Sequence, residues 1–476
     1  MSRLLRISIW LLLTTLLVWA LVIGYWRIVG VRPDVGDLVL YLGVLPLGTF
    51  AVLALLRRGF DGARRRASDA QAKGTEHDAV EAGDGSPEVE RTAPVAILAG
   101  TLRLPVGGDP ATVLGALGTP LAPQLHKTLK DGSGFPVFAT WVEDVDIDAA
   151  AQALEAAGSD RTDPRLAAEQ LRAFGLLLPV VQDLLAQVVA GDWLANPAIS
   201  QLQVSVFLPS EWPASIREPV AAWVADEARA CGVPSGRMHC QALPASGSEE
   251  IWRRLAEVAP APARPATTPV LHLLVACHSQ IGEPSVQRLD RAGHLLSAQQ
   301  PEGIVPGEGA AGVVMLAAGP DGGFALPPSA VLRAQATARQ GVSWQPRAAI
   351  QQMHALLEQT LARAPGATAA DVKSVVSDAD LRKSRATSVA GLLAQSLGHL
   401  DPETDCVATG AGCGHTGIVS ALALVALATE RVAATGAPVL ALGVAEAEQR
   451  TIALFSPPDP PDTNDVPDPS GTAQAT

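Results

Sequence analysis

Pro306-Gly307-Glu308-Gly309-Ala310-Ala311-Gly312-Val313-Val314-Met315-Leu316 is a turn of small residues around one carboxylate, running straight into an apolar strand. So many small side chains mean that backbone passes close to other backbone there. The run that follows has no polar residue and reads as a strand buried on both faces. A second unit of similar kind, Gly410-Ala411-Gly412-Cys413-Gly414-His415-Thr416-Gly417, opens a long apolar helix.

Working outward, the chain has 476 residues, room for a membrane segment and one large or two ordinary domains. Its formal net charge of −13 argues against nonspecific nucleic-acid binding, which needs a basic footprint. Five cysteines, an odd number with no CxxC pair, fit a reducing compartment better than a disulfide scaffold.

Residues 7–26 and 38–56 are almost wholly apolar, each about the ~20 residues a spanning helix requires. They predict a transmembrane hairpin over 1–60 that contacts membrane lipid. Arg3 and Arg6 precede it and Arg57, Arg58, Arg64, Arg65 and Arg66 follow it, which places both ends and the soluble domain in the cytoplasm. Residues 61–92 have the composition of a flexible tether, and 457–476 that of a disordered tail.

Between them the pattern alternates. Strands are expected at 94–100, 135–142, 201–208, 237–242 and 270–277, with helices at 163–189, 216–231, 248–258 and 286–296. After a loop at 319–323 a shorter alternation restarts: a helix at 348–364, a strand at 372–376, helices at 384–397 and 416–433, and a terminal hairpin at 438–443 and 450–455. The fold class is α/β.

Two βα-rich halves, 93–318 and 324–456, each closing on a strand pair, resemble the thiolase-like fold of β-ketoacyl synthases. The likeness is best at 273–316, where Ser279 precedes a short helix and the Gly307-Glu308-Gly309-Ala310 turn, and at Gly414-His415-Thr416-Gly417. The resemblance implies a duplicated α/β domain with two sheet layers. It also implies a histidine at the second turn and a nucleophile on the helix before the 270–277 strand.

Claisen condensation needs a thiolate at a helix N-terminus, where the dipole lowers its pKa, and two imidazoles or their equivalent. The expected nucleophile position falls in Ala245-Ser246-Gly247-Ser248, which has no cysteine. Ser246 is a candidate replacement, or a turn or N-cap residue. Cys240 lies upstream, within a strand. The expected first histidine of the second half is missing from Val375-Val376-Ser377-Asp378-Ala379-Asp380. The candidate catalytic residues are therefore His415, Ser246 and Glu308, read as a vestigial set, with Glu308 better suited to hold a Gly-rich bend than to act as a base.

Cys406, Cys413 and His415 lack zinc-site spacing and a fourth ligand. His272 and His278 flank one strand and read as packed side chains. Asp144, Asp146 and Asp148 read as solvated surface. No metal and no cofactor are expected. The function expected is a membrane-anchored, catalytically inactive scaffold or partner-binding module at the bacterial inner membrane, with an envelope or secretion machine as client. The alternative is acyl transfer or condensation on acyl-carrier-protein or coenzyme A substrates. A homodimer is expected through edge strands of the first half, with 201–208 taking part.

Overall fold

Alternation along single strands sets the architecture. The computed structural model describes residues 93–118, 122–158, 167–258, 269–319, 323–339 and 345–459. The predicted membrane hairpin, the tether and all but the first three residues of the tail lie outside them.

The first half contains β1 (Val95–Arg103), β4 (Gln201–Pro209), β5 (Met238–Ala245), β6 (Val270–Ser279) and β7 (Glu308–Ala317). The second contains β8 (Ala330–Arg339), β9 (Ser374–Ser377), β10 (Cys406–Ala408), β11 (Val439–Gly443) and β12 (Gln449–Ser456). The sheet order is β10-β9-β11-β12-β8-β1-β7-β6-β4-β5. Counted from its own first strand, each half therefore has the order three-two-four-five-one. In each, the fifth strand runs antiparallel to its neighbours while the second, third and fourth are parallel. The two leaves join along only three residue pairs, Val95 with Leu332, Ala96 with Val331 and Ile97 with Ala330.

Side chains alternate across a strand. In β7, Val313 and Met315 enter a central core while Val314 and Leu316 enter an outer one. In β11, Val439 and Ala441 enter the same central core while Leu440 and Leu442 face the other way. Helices α5 (Ser248–Val258) and α9 (Ser420–Thr435) supply that central core, so they lie between the leaves. Helices α3 (Ala168–Ala190) and α4 (Ala214–Ala230) cover the outside of the first leaf. Helices α7 (Pro346–Arg363) and α8 (Lys383–Ser396) cover the outside of the second. Five layers result, with one ten-stranded sheet forming both leaves where two sheet layers were expected. The stretch 168–190 and the stretch 417–435 are each long and apolar enough to cross a membrane by length and composition, and both are packed on these sheets.

Three expectations are corrected, and further elements were unforeseen. The strand 201–208 is interior, parallel to β5 on one side and β6 on the other, so its backbone cannot pair with a second copy. The edge strand of the first leaf is β5. The second half opens with β8, unforeseen because Arg333, Gln335, Thr337 and Arg339 alternate with small residues and give little apolar signal. The segment expected as one strand over 135–142 is β3 (Pro136–Ala139), paired with an unforeseen β2 (Gln124–Lys130) as a separate two-stranded sheet. The helix expected at 286–296 is α6 (Glu283–Arg291), after which Leu295 bridges to Ile304. Two short helices, α1 (Pro110–Leu117) and α2 (Ile147–Ala156), were also unforeseen.

Candidate functional site

The two glycine-rich stretches meet. Pro306 and His415 form a parallel bridge, and the His415 N–H donates to the Val305 carbonyl at 2.8 Å. Thr140 ties both turns together: its N–H donates to Pro306 O at 3.0 Å and its hydroxyl to Cys413 O at 2.5 Å. A Cβ on Gly307 would overlap the Cys413 carbonyl, which is why the crossing needs glycine. Gly307→Ala should therefore destabilise by about 1–3 kcal/mol in denaturant unfolding. The control Gly236→Ala, with nothing near its Cβ, should stay within about 0.5 kcal/mol.

Glu308 opens β7 and is fully buried. Its carboxylate accepts from Val142 N (2.9 Å), Arg172 Nε (3.0 Å), Arg172 Nη2 (2.5 Å) and Ser279 Oγ (2.7 Å). Each oxygen thus has two donors, and Arg172 Nη2 also holds the Val142 carbonyl at 2.7 Å. This carboxylate fastens the end of β6, the first turns of α3 and the approach to the site. Sequence reading missed Arg172, although a lone arginine in the apolar run around Leu171, Ala173 and Phe174 was the available signal.

His415 is half-buried, and Gln280 Nε2 lies 3.5 Å from its Nδ1. Burial lowers its pKa; the Glu446 carboxylate opposes that, and Arg382 adds to it. His278, at the end of β6, packs against Gly417, two residues beyond His415. Burial pushes His278 down to about 3, with Arg288, and His415 when it is protonated, acting in the same direction. Its ring fills the space where a Gly417 side chain would stand. The fold therefore places a second imidazole near His415 from the first half, not from the second-half strand end where the resemblance places it. Six residues away in β6, His272 is held down to about 4 by burial and by Arg254.

The strand end that lacks histidine carries a buried ionic cluster. Asp378 Oδ1 accepts from Val444 N (2.5 Å) and Ala445 N (2.9 Å), and burial raises its pKa to about 6. Arg382 holds Asp380 with its Nε, at 2.9 and 2.8 Å, and Ala445 O with its Nη2 at 2.6 Å. Arg450 donates to Glu446 O at 2.7 Å. Together these residues clamp the loop after β11. That loop delivers Glu446 to the start of α5, where Glu446 Oε1 accepts the Ser248 N–H at 3.0 Å and the carboxylate lies against Gly247. An internal carboxylate thus occupies the helix N-terminus at which the resemblance places a nucleophile.

Ser246 is exposed. Its hydroxyl donates to Ser210 Oγ at 3.2 Å, and Glu250 accepts from the N–H groups of Ser246 (3.4 Å) and Gly247 (3.2 Å). Cys240 lies in β5, donates to Ala221 O at 3.3 Å, and is pushed up to about 12 by burial. Burial also pushes Cys413 up to about 12 and Cys406 to about 11, and raises Cys231 and Cys277. Asp146 caps α2 by accepting from Ala149 N at 2.8 Å. Among the described residues, no group of three or more His, Cys, Asp or Glu is placed to hold a metal ion.

No family model matches the chain, and no curated protein matches it. Solved structures do. The ishigamide ketosynthase/chain length factor is 16% identical, over 77% of this chain and 99% of that one, with a TM-score of 0.49. An oxazolomycin ketosynthase domain of Streptomyces albus JA3453 is 14% identical, over 77% and 75%, with a TM-score of 0.49. The ketosynthase ApeO in complex with its chain length factor ApeC from Xenorhabdus doucetiae is 13% identical, over 79% and 100%, with a TM-score of 0.48. The duplicated strand order, the twin leaves and the helices between them give this chain a thiolase-like, β-ketoacyl-synthase-like fold.

Proposed function

We propose that this chain is a membrane-anchored, catalytically inactive thiolase-like protein. It serves as a scaffold or partner-binding module at the cytoplasmic face of the bacterial inner membrane, for an envelope or secretion machine. The observation that supports the inactive reading is Glu446. A thiolate or oxyanion at the start of α5 would have to share the Ser248 N–H with a carboxylate already bound to it. The raised pKa values of the cysteines point the same way, since the thiolate is the nucleophile. The anchoring reading rests on the apolar stretches 7–26 and 38–56 and the arginines around them.

The alternative, acyl transfer or condensation on acyl-carrier-protein or coenzyme A substrates, is favoured by one observation: His278 near His415. Intact-mass measurement of the full-length protein after incubation with acyl-coenzyme A separates the readings. The expected result is no acyl adduct. A stoichiometric adduct that disappears in Ser246→Ala or Cys240→Ala would overturn the inactive reading.

A further inference from the structure

We propose that the β2–β3 hairpin is an interfacial contact that seats the body on anionic phospholipid headgroups. The inference rests on the membrane-anchored reading and adds a second, orienting contact to it. Leu125 and Phe138 are direct cross-strand partners, so they project from one face, and both are exposed at 53% and 39%. Lys130 is opposite Pro136, two residues from Phe138, which puts this lysine on the same face. Lys127 is exposed, and Phe135 in the connecting turn is 68% exposed. Two of the five lysines in a chain of net charge −13 thus lie on one short strand, beside the apolar side chains.

The opposite face is committed. Val137 and Leu129 pack on Val286 and Leu289 of α6 and on Leu295 and Ile304. The turn is preset by Asp131, which accepts from Ser133 N (2.9 Å) and Phe135 N (2.8 Å). Asp290 of α6 accepts from Gly132 N at 2.9 Å. Phe135 is therefore held outward by a built turn.

The area favours lipid over protein. Three large side chains at these exposures offer roughly 300 Å², against about 800 Å² per partner in a stable protein interface. Lipid needs no shape match, only apolar side chains below the headgroups and cations at their level. Thr140 and Val142, just past the hairpin, bond to Pro306 and Glu308, so this contact would turn the candidate site toward the bilayer.

The test uses the full-length chain with p-benzoylphenylalanine in place of Phe135. The protein is reconstituted in phosphatidylcholine vesicles with or without phosphatidylglycerol, irradiated, and mapped by mass spectrometry. The expected result is lipid adducts at position 135 in phosphatidylglycerol vesicles. They should be reduced about tenfold or more without the anionic lipid, and likewise by Lys127→Glu with Lys130→Glu. Vesicle-bound protein whose position 135 gives no adduct, or adducts only to a second copy or another protein, overturns the inference and leaves the anchoring reading standing. A chain that does not co-float with vesicles overturns both.

Discussion

Arg172→Ala will lower the stability of the body by about 3–5 kcal/mol, the cost of leaving a buried charge without its partner. Glu308 is fully buried, and Arg172 supplies two of its four donors. After truncation, only the Val142 N–H and the Ser279 hydroxyl remain to it. The Val142 carbonyl also loses its arginine bond, which loosens the segment leading from the β2–β3 hairpin into α2. Denaturant unfolding of the purified protein reads this as a fall in midpoint at an unchanged slope. Replacing both partners together, Arg172→Met with Glu308→Leu, should recover a large part of the loss, because no orphaned charge is then left inside. A single-variant cost below about 1 kcal/mol would mean that the pair is solvated.

The second large effect is in the pH dependence of stability. His278 has a folded pKa of about 3 against an ordinary 6.5, so its contribution is complete above pH 6.5 and is lost as pH falls toward 3. Asp378 runs the other way. Its folded pKa is about 6 against an ordinary 3.8, so its contribution is complete below pH 3.8 and is lost as pH rises through 6. Each slope is about 1.4 kcal/mol per pH unit, and between pH 4 and 6 the two oppose each other. Asp378→Asn keeps an acceptor for the Val444 and Ala445 N–H groups and removes the opposing slope. The variant should lose roughly 3 kcal/mol between pH 6 and pH 4 relative to the parent. His278→Gln should do the reverse and gain roughly 3 kcal/mol over the same interval relative to the parent. Urea midpoints across this range measure both, and parallel profiles for Asp378→Asn and the parent would rule out a buried, proton-holding Asp378.

Much of the fold was legible because its signals are local. The apolar runs after Glu308 and at 270–277 and the helix patterns at 248–258 and 348–364 are properties of consecutive residues, and each appears close to where it was expected. Strand β8 was not legible. Beyond Val331 and Leu332 its buried positions are alanines, whose contribution to burial is small, and its outward positions are arginine, glutamine and threonine. The edge position of β5 was equally hidden. Apolar content shows that a strand is buried, but not which neighbours bury it, and 201–208 read as strongly as an edge as it does in the middle of the leaf.

The candidate site divides the same way. His415 and Glu308 were found because each sits in a short glycine-rich context that only close backbone approach explains. Glu446 was not, since nothing near it in sequence marks it, and His278 read only as a packed side chain. Glu446 lies among small residues in what reads as a polar loop, and His278 ends an apolar strand.

By itself, the sequence determined that the body is a twofold α/β arrangement and that two tight glycine turns lie at its centre. Spacing and side-chain size alone carry that information. Only the tertiary structure decided that the turns touch, that Glu446 rather than a substrate group holds the start of α5, and that a second imidazole comes from β6. Those facts depend on residues about 110 to 200 positions apart arriving at one place. Close packing between the two leaves, not any local preference, brings them there.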